Sequence, residues 1–178
     1  MDDIVKQAMA KWPNVPDCFG WLGLDARGDW YLRDDAAQAA GVFPETAAAR
    51  GAVLRHEQLL GFIARNYQGD EEGRWFFQNG PQRVYVELEA APFVWRVDSD
   101  GSVNSHTGLP AGEVSECLVD ERGRLYLVTA LGCGLVHTLD MLHAAEAVES
   151  GAWQPRPVTD AELERRCGFQ RHPVSGKA

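Results

Sequence analysis

The sequence predicts an α+β protein: a bent antiparallel sheet of about eight or nine strands packed with two main helices. Three observations predict it. Residues 83–89 alternate apolar and polar with period two, the pattern of a half-buried antiparallel strand. Asp-x-x-Gly signals recur at Asp25, Asp70, Asp98 and Asp120, each between apolar runs, as hairpin turns require. Residues 54–67 and 140–150 instead place their apolar side chains at helical spacing.

The elements follow in order. Asp2 and Asp3 suit a helix N-terminus, where carboxylates meet the positive end of the dipole. Ile4, Val5, Ala8, Met9 and Trp12 continue at helical spacing, and Pro13 stops the helix. The runs CFGWLGL and DWYL make a hairpin around Asp25–Gly28. Residues 33–50 are Ala-rich, broken by Gly41 and Pro44. They read as an irregular excursion and a mobile lid. Leu59, Leu60, Phe62, Ile63 and Tyr67 give the next helix its apolar face. Strands then follow one another from Arg74 to Ala130. In residues 83–89, Val84, Val86 and Leu88 share one face, and Tyr85, Glu87 and Glu89 the other. Asp140 is placed to cap the second helix, with Met141, Ala144, Ala145 and Val148 inward. Thr159-x-x-Glu162 is a capping box for a last short helix.

A chain of 178 residues is long enough for one compact domain spanning 1–178. Seventeen basic against 26 acidic residues give a net charge of −9, which disfavours nucleic acid and anionic membrane surfaces as partners. Cys18, Cys117, Cys133 and Cys167 form no C-x-x-C pair, so a zinc ribbon is not supported and reduced cytoplasmic thiols are expected. No metal and no cofactor is expected.

Leu24–Leu32 and Val119–Leu127 align almost residue for residue. Each is followed by a helix and then by Gly-x-Trp, at Trp75 and Trp153. One reading is a duplicated hairpin–helix–strand unit, about 18–84 and 113–158. The other is that Asp-x-x-Gly-x-aromatic is simply a common hairpin.

Two groups of residues are candidates for chemistry. Cys133, His137 and Asp140 lie within one short segment. They suit a nucleophile, a base and an orienting carboxylate, with no family-specific signature around the thiol. The plainer reading is a buried cysteine, a tight glycine bend and a near-core histidine. Tyr85, Glu87, His106, His137 and Asp140 are candidate ligand-binding residues, being polar groups on one strand face or at strand ends. The His-Thr pairs at His106 and His137 both end expected strands.

The stretch GRWFFQNGPQRVYVELEAAPFVWRV, followed by His-Thr-Gly and LGCGLVHTLDM, resembles an uncharacterised bacterial family of unknown function, over about Lys11 to Phe169. A second likeness rests on the hairpin, helix and turn order and on Val84-Tyr85-Val86 with Ala91-Pro92-Phe93. It is to another family of unknown function, one associated with repeated α+β motifs and a suggested signalling role. Together these readings imply a cytoplasmic, non-enzymatic binding module for a small molecule or protein partner. The alternative is a small hydrolase or transferase using Cys133, His137 and Asp140.

Overall fold

The computed structural model describes residues 1–175. The chain forms two compact units. Unit 1 comprises Met1–Asp25, Asp29–Glu89 and the segment from Gln170; unit 2 comprises Ala26–Gly28 and Ala90–Phe169. Each unit has its own six-stranded sheet, where the sequence predicts one sheet of eight or nine strands.

Unit 1 contains α1 (Asp3–Lys11), β1 (Cys18–Leu24), β2 (Trp30–Leu32), α2 (Asp35–Ala39), α3 (Ala47–Arg50), β3 (Ala52–Val53), α4 (Glu57–Arg65), β4 (Tyr67–Gly69), β5 (Trp75–Asn79) and β6 (Gln82–Leu88). Its sheet order is β3-β2-β1-β6-β5-β4. Unit 2 contains β7 (Phe93–Val97), β8 (Val103–Ser105), β9 (Val114–Val119), β10 (Leu125–Thr129), β11 (Gly132–Val136), a 3-10 turn (Thr138–Asp140), α5 (Met141–Glu149), β12 (Pro155–Pro157) and α6 (Asp160–Cys167). Its order is β12-β9-β10-β11-β7-β8. The strands absent from the sequence reading are β3, β4 and β12, with two or three residues each. So short a run has no period to detect.

The sheets are not purely antiparallel. A hairpin and a three-stranded meander join in each unit through one parallel pair, β1 with β6 and β7 with β11. β12 also lies parallel to β9. Matching the strand orders sets Leu24–Leu32 against Val97–Ser105, and Gly69–Phe77 against Val119–Leu127. The sequence alignment of Leu24–Leu32 with Val119–Leu127 instead compares a hairpin with part of a meander. Likewise Trp75 opens a meander strand, whereas Trp153 precedes an edge strand.

Central position changes the character of β6. Tyr85, Val86 and Leu88 are fully buried and Glu87 is 8% exposed, so both faces are covered and the expected solvated face is absent. In unit 2 the largest fully buried side chain is Trp95, whose indole N–H donates to the Leu127 carbonyl at 2.9 Å. Gly134 lies directly beneath that ring, and a Cβ there would overlap it. Burying an indole of this size stabilises a core by several kcal/mol, on the order of the 3–5 kcal/mol lost when Trp is cut to Ala.

The helices are shorter than expected. α4 begins only at Glu57 because His56 caps it, its Nδ1 accepting the Leu59 amide at 3.3 Å. Tyr67 belongs to β4 and not to the helix. In α5, Ala144 is buried but Ala145 is exposed, and Asp140 makes no capping bond to it. The Thr159–Glu162 capping box of α6 is formed with both reciprocal bonds. No helix among the described residues is long and apolar enough to cross a membrane.

Candidate functional site

The structure does not assemble Cys133, His137 and Asp140 as a nucleophile, base and orienter. Cys133 and His137 are four residues apart along extended chain, so their backbones are separated by about 13 Å at strand rise. His137 caps the 3-10 turn, its Nδ1 accepting the Leu139 amide at 3.1 Å. Asp140 accepts from Arg96 Nε at 2.6 Å and Nη2 at 3.0 Å, and from the Val97 amide at 3.1 Å. The Arg96 bonds, helped by the Val97 amide, hold its carboxyl below the usual range against the effect of burial. Its oxygens are thus committed to fixing β7.

The five candidate ligand-binding residues divide between the units: Tyr85 and Glu87 belong to unit 1, and His106, His137 and Asp140 to unit 2. Tyr85 stacks on Phe19 with ring centroids 4.5 Å apart, and its hydroxyl donates to Asp70 at 3.1 Å. Burial raises its pKa, and the Asp70 bond adds to this while Arg83 opposes it. Glu87 Oε2 lies 2.7 Å from His172 Nδ1. His106 Nδ1 accepts the Val94 amide at 3.2 Å. Part of that residue reaches the surface, yet Nε2 is shielded from water, and burial pushes the imidazole down to about 3. A neutral ring is what the Val94 bond requires, since Nδ1 must offer a lone pair. Among the described residues no group of three or more His, Cys, Asp or Glu side chains is placed to hold a metal ion.

A different region of unit 1 has the form of a binding site. The Ala-rich segment after β2 folds into α2 and α3, capped by Asp34, which accepts the Ala37 amide at 2.9 Å, and by Thr46, which accepts the Ala49 amide at 3.0 Å. Between these helices and the β1–β2 hairpin lies a hollow of 640 Å³. Its walls are Ala36, Ala37, Ala47, Ala48 and Ala52, with Trp21 and Leu32 at the hairpin. Trp21 is 44% exposed and Leu32 48%. Methyl side chains on both helices leave the space that larger ones would fill. Gly51 closes one end at φ 82°, where any Cβ would run into the Leu32 carbonyl.

Arg33 also lines the hollow and is 3% exposed. Its guanidinium donates to the carbonyls of Ala49 at 2.7 Å, Gly41 at 2.7 Å, Gly20 at 3.2 Å and Ala37 at 3.4 Å. Three of these acceptors, Ala37, Gly41 and Ala49, lie in or just past the last turns of α2 and α3, where the dipole favours a cation, and the fourth, Gly20, belongs to β1. The clasp orders the segment expected to be a mobile lid, with Ala37, Phe43 and Ala49 buried beneath it. No carboxylate pairs with Arg33 among the described residues, and one Nη1 hydrogen of its five N–H groups is unused. The sequence reading missed this site because alanines carry no hydrophobic period. The available signal was an arginine beside a run of small residues following a hairpin.

The class defined so far is a two-unit α+β protein with an apolar, alanine-walled hollow. The chain belongs to the DUF2944 family, whose description reads "Protein of unknown function (DUF2946)" and whose family model matches residues 1–174. Among solved structures it is similar to a DUF1285 family protein from Silicibacter pomeroyi DSS-3, with 14% identity and a TM-score of 0.50 over 82% of this chain and 84% of that chain. That likeness shows the fold alone. A DUF1285 family protein from Shewanella baltica OS155 matches with 15% identity and a TM-score of 0.49, over 71% of this chain and 91% of that one. No curated protein matches the chain.

Proposed function

We propose that this protein is a non-catalytic binding module whose ligand site is the hollow of unit 1. The observation that supports this most is the exposure of Trp21 and Leu32 beside a 640 Å³ space walled by alanines. Sites for small molecules fall in this size range and pair apolar walls with a few polar groups. The polar group here is Arg33, a buried cation with no carboxylate partner among the described residues and an N–H to spare. A buried charge favours a counter-charge, so the ligand is a small amphiphile with an apolar body and an anionic head. Occupancy of such a site by a cellular ligand fits a regulatory or signalling role. The net charge of −9 and four scattered cysteines fit a cytoplasmic setting. The like-ordered hairpin and meander of the two units fit a duplicated unit, with segments near 18–88 and 93–138.

Decanoate is a suitable probe, measured by isothermal titration on the full chain. Saturable 1:1 binding is expected, weaker by about tenfold or more for decanol, which lacks the charge, since 1.4 kcal/mol is a factor of ten. Ala48→Phe, which fills the hollow from an exposed position, should abolish binding and leave the far-UV spectrum unchanged. Binding that survives Ala48→Phe, or its absence at millimolar decanoate, overturns the assignment.

A further inference from the structure

The hollow of unit 1 is lined by two charges of opposite sign. Trp21 and Arg33 continue the register that sets Leu22 against Leu32, and the Arg33 amide donates to the Trp21 carbonyl at 2.9 Å. Residues paired in this way project to one side of a hairpin, with Cβ atoms about 5 Å apart. The exposed indole and the buried cation therefore start from one wall of the hollow. The next residue, Asp34, lines the same hollow and is exposed. Its Oδ1 accepts the Ala37 amide at 2.9 Å, which fixes the carboxylate at the start of α2. Its Oδ2 has no partner among the described residues. Arg33 and Asp34 are neighbours in sequence but do not satisfy each other, because the guanidinium is spent on four carbonyls.

We propose that the hollow takes a free α-amino acid with a large apolar side chain, an inference that rests on the reading of the hollow as a ligand site. A lone carboxylate brought to Arg33 also meets the charge of Asp34, and a lone ammonium brought to Asp34 also meets that of Arg33. Like charges so placed work against either ligand. A head that carries both groups on one carbon answers both residues. Its carboxylate takes the spare Nη1 hydrogen of Arg33, and its ammonium donates to Asp34 Oδ2, each a charge-assisted bond. The ring of Trp21 adds an aromatic face, which attracts an ammonium further. The alanine walls give contact to apolar atoms only, and 640 Å³ leaves room for an aromatic side chain. A peptide end does not meet the same need. A peptide N-terminus lacks the adjacent carboxylate, and a peptide C-terminus lacks the adjacent ammonium.

The test is isothermal titration of the full chain with L-phenylalanine and with its two single-charge analogues, 3-phenylpropanoate and 2-phenylethylamine. L-Phenylalanine should bind saturably, and each analogue should bind more weakly by about tenfold or more, as the loss of one charged hydrogen bond implies. Asp34→Asn removes the charge and keeps the cap, since an asparagine oxygen also accepts the Ala37 amide. This variant should bind L-phenylalanine about tenfold more weakly and 3-phenylpropanoate more tightly than the parent does, so that the two affinities converge. An analogue that binds as well as L-phenylalanine, or a preference that survives Asp34→Asn, overturns the inference. Either result, with decanoate still bound by the parent and lost in Ala48→Phe, leaves the hollow a site for simple carboxylates. Failure of decanoate, L-phenylalanine and both analogues to bind overturns the reading of the hollow and this inference with it.

Discussion

Arg33 of unit 1 and His106 of unit 2 occupy the same place in their respective hairpins. Each follows the second strand, and each backbone amide donates to the first strand, Arg33 to Trp21 at 2.9 Å and His106 to Val94 at 2.8 Å. The chain after Arg33 runs through two short helices before β3, and their terminal carbonyls receive the guanidinium. After His106 it reaches β9 without a helix, and the imidazole accepts an amide in place of donating to carbonyls. One backbone position thus holds a permanent cation in one unit and a neutral ring in the other. Length and cap chemistry of the following segment decide which. The same difference makes a hollow in unit 1, because the helices that satisfy Arg33 are also its walls.

The largest expected effect is on that pair of residues. Arg33→Leu leaves four carbonyls without their donor, and each buried acceptor so orphaned costs roughly 1–3 kcal/mol. A loss of more than about 3 kcal/mol is expected by urea denaturation. His106→Leu removes one acceptor from the Val94 amide and should cost about 1–2 kcal/mol. Equal costs would break the comparison, since they would mean that the carbonyl clasp contributes little.

A smaller effect tests where the units agree. Asp70 and Asp120 sit at matching turns between the first two meander strands. Asp70 accepts the amides of Glu72 and Arg74 and the Arg74 Nε at 3.0, 2.9 and 2.9 Å. Asp120 accepts the amides of Arg122 and Arg124 and the Arg124 Nε at 3.0, 2.8 and 2.6 Å. In both, burial raises the carboxyl pKa, but the arginine bonds outweigh it and the net shift is downward. Asp70→Ala and Asp120→Ala should each cost about 2–3 kcal/mol, less than a fully buried pair because both arginines keep some exposure. Costs that differ by more than about 1.4 kcal/mol, a factor of ten in the folding constant, would show that matching geometry does not mean matching energetics here.

What the sequence made legible is what local chemistry specifies. Each Asp-x-x-Gly turn and the Thr159–Glu162 box needs only a few consecutive residues, and all are formed. The parallel pairs β1–β6 and β7–β11 join strands far apart in sequence, so no local pattern announces them. His137 invites a chemical role in the sequence, yet it spends its Nδ1 on a backbone amide at the start of a helical turn, as His56 does at the start of α4. The hollow escaped because its walls are alanines, which pack without leaving a periodic signal.

The smallest effect concerns protons. His106 is pushed down to about 3 by burial, while a histidine in the unfolded chain titrates near 6.5. Between those values the unfolded chain binds a proton that the folded chain refuses. Stability from this group is therefore complete above about pH 6.5 and falls as pH drops, by about 1.4 kcal/mol per unit. The carboxyls of Asp70, Asp120 and Asp140 are all held low. Their contribution is complete above about pH 4, near the unfolded aspartate value, and is lost only below it. The interval from about pH 6 to 4.5 consequently separates the ring from these three aspartates. Urea denaturation across that interval should show the decline in the parent and a flatter profile in His106→Gln, whatever the variant's absolute stability. A parent and variant with the same slope would mean that His106 takes up its proton in the folded state, and that unit 2, like unit 1, can hold a cation at this position.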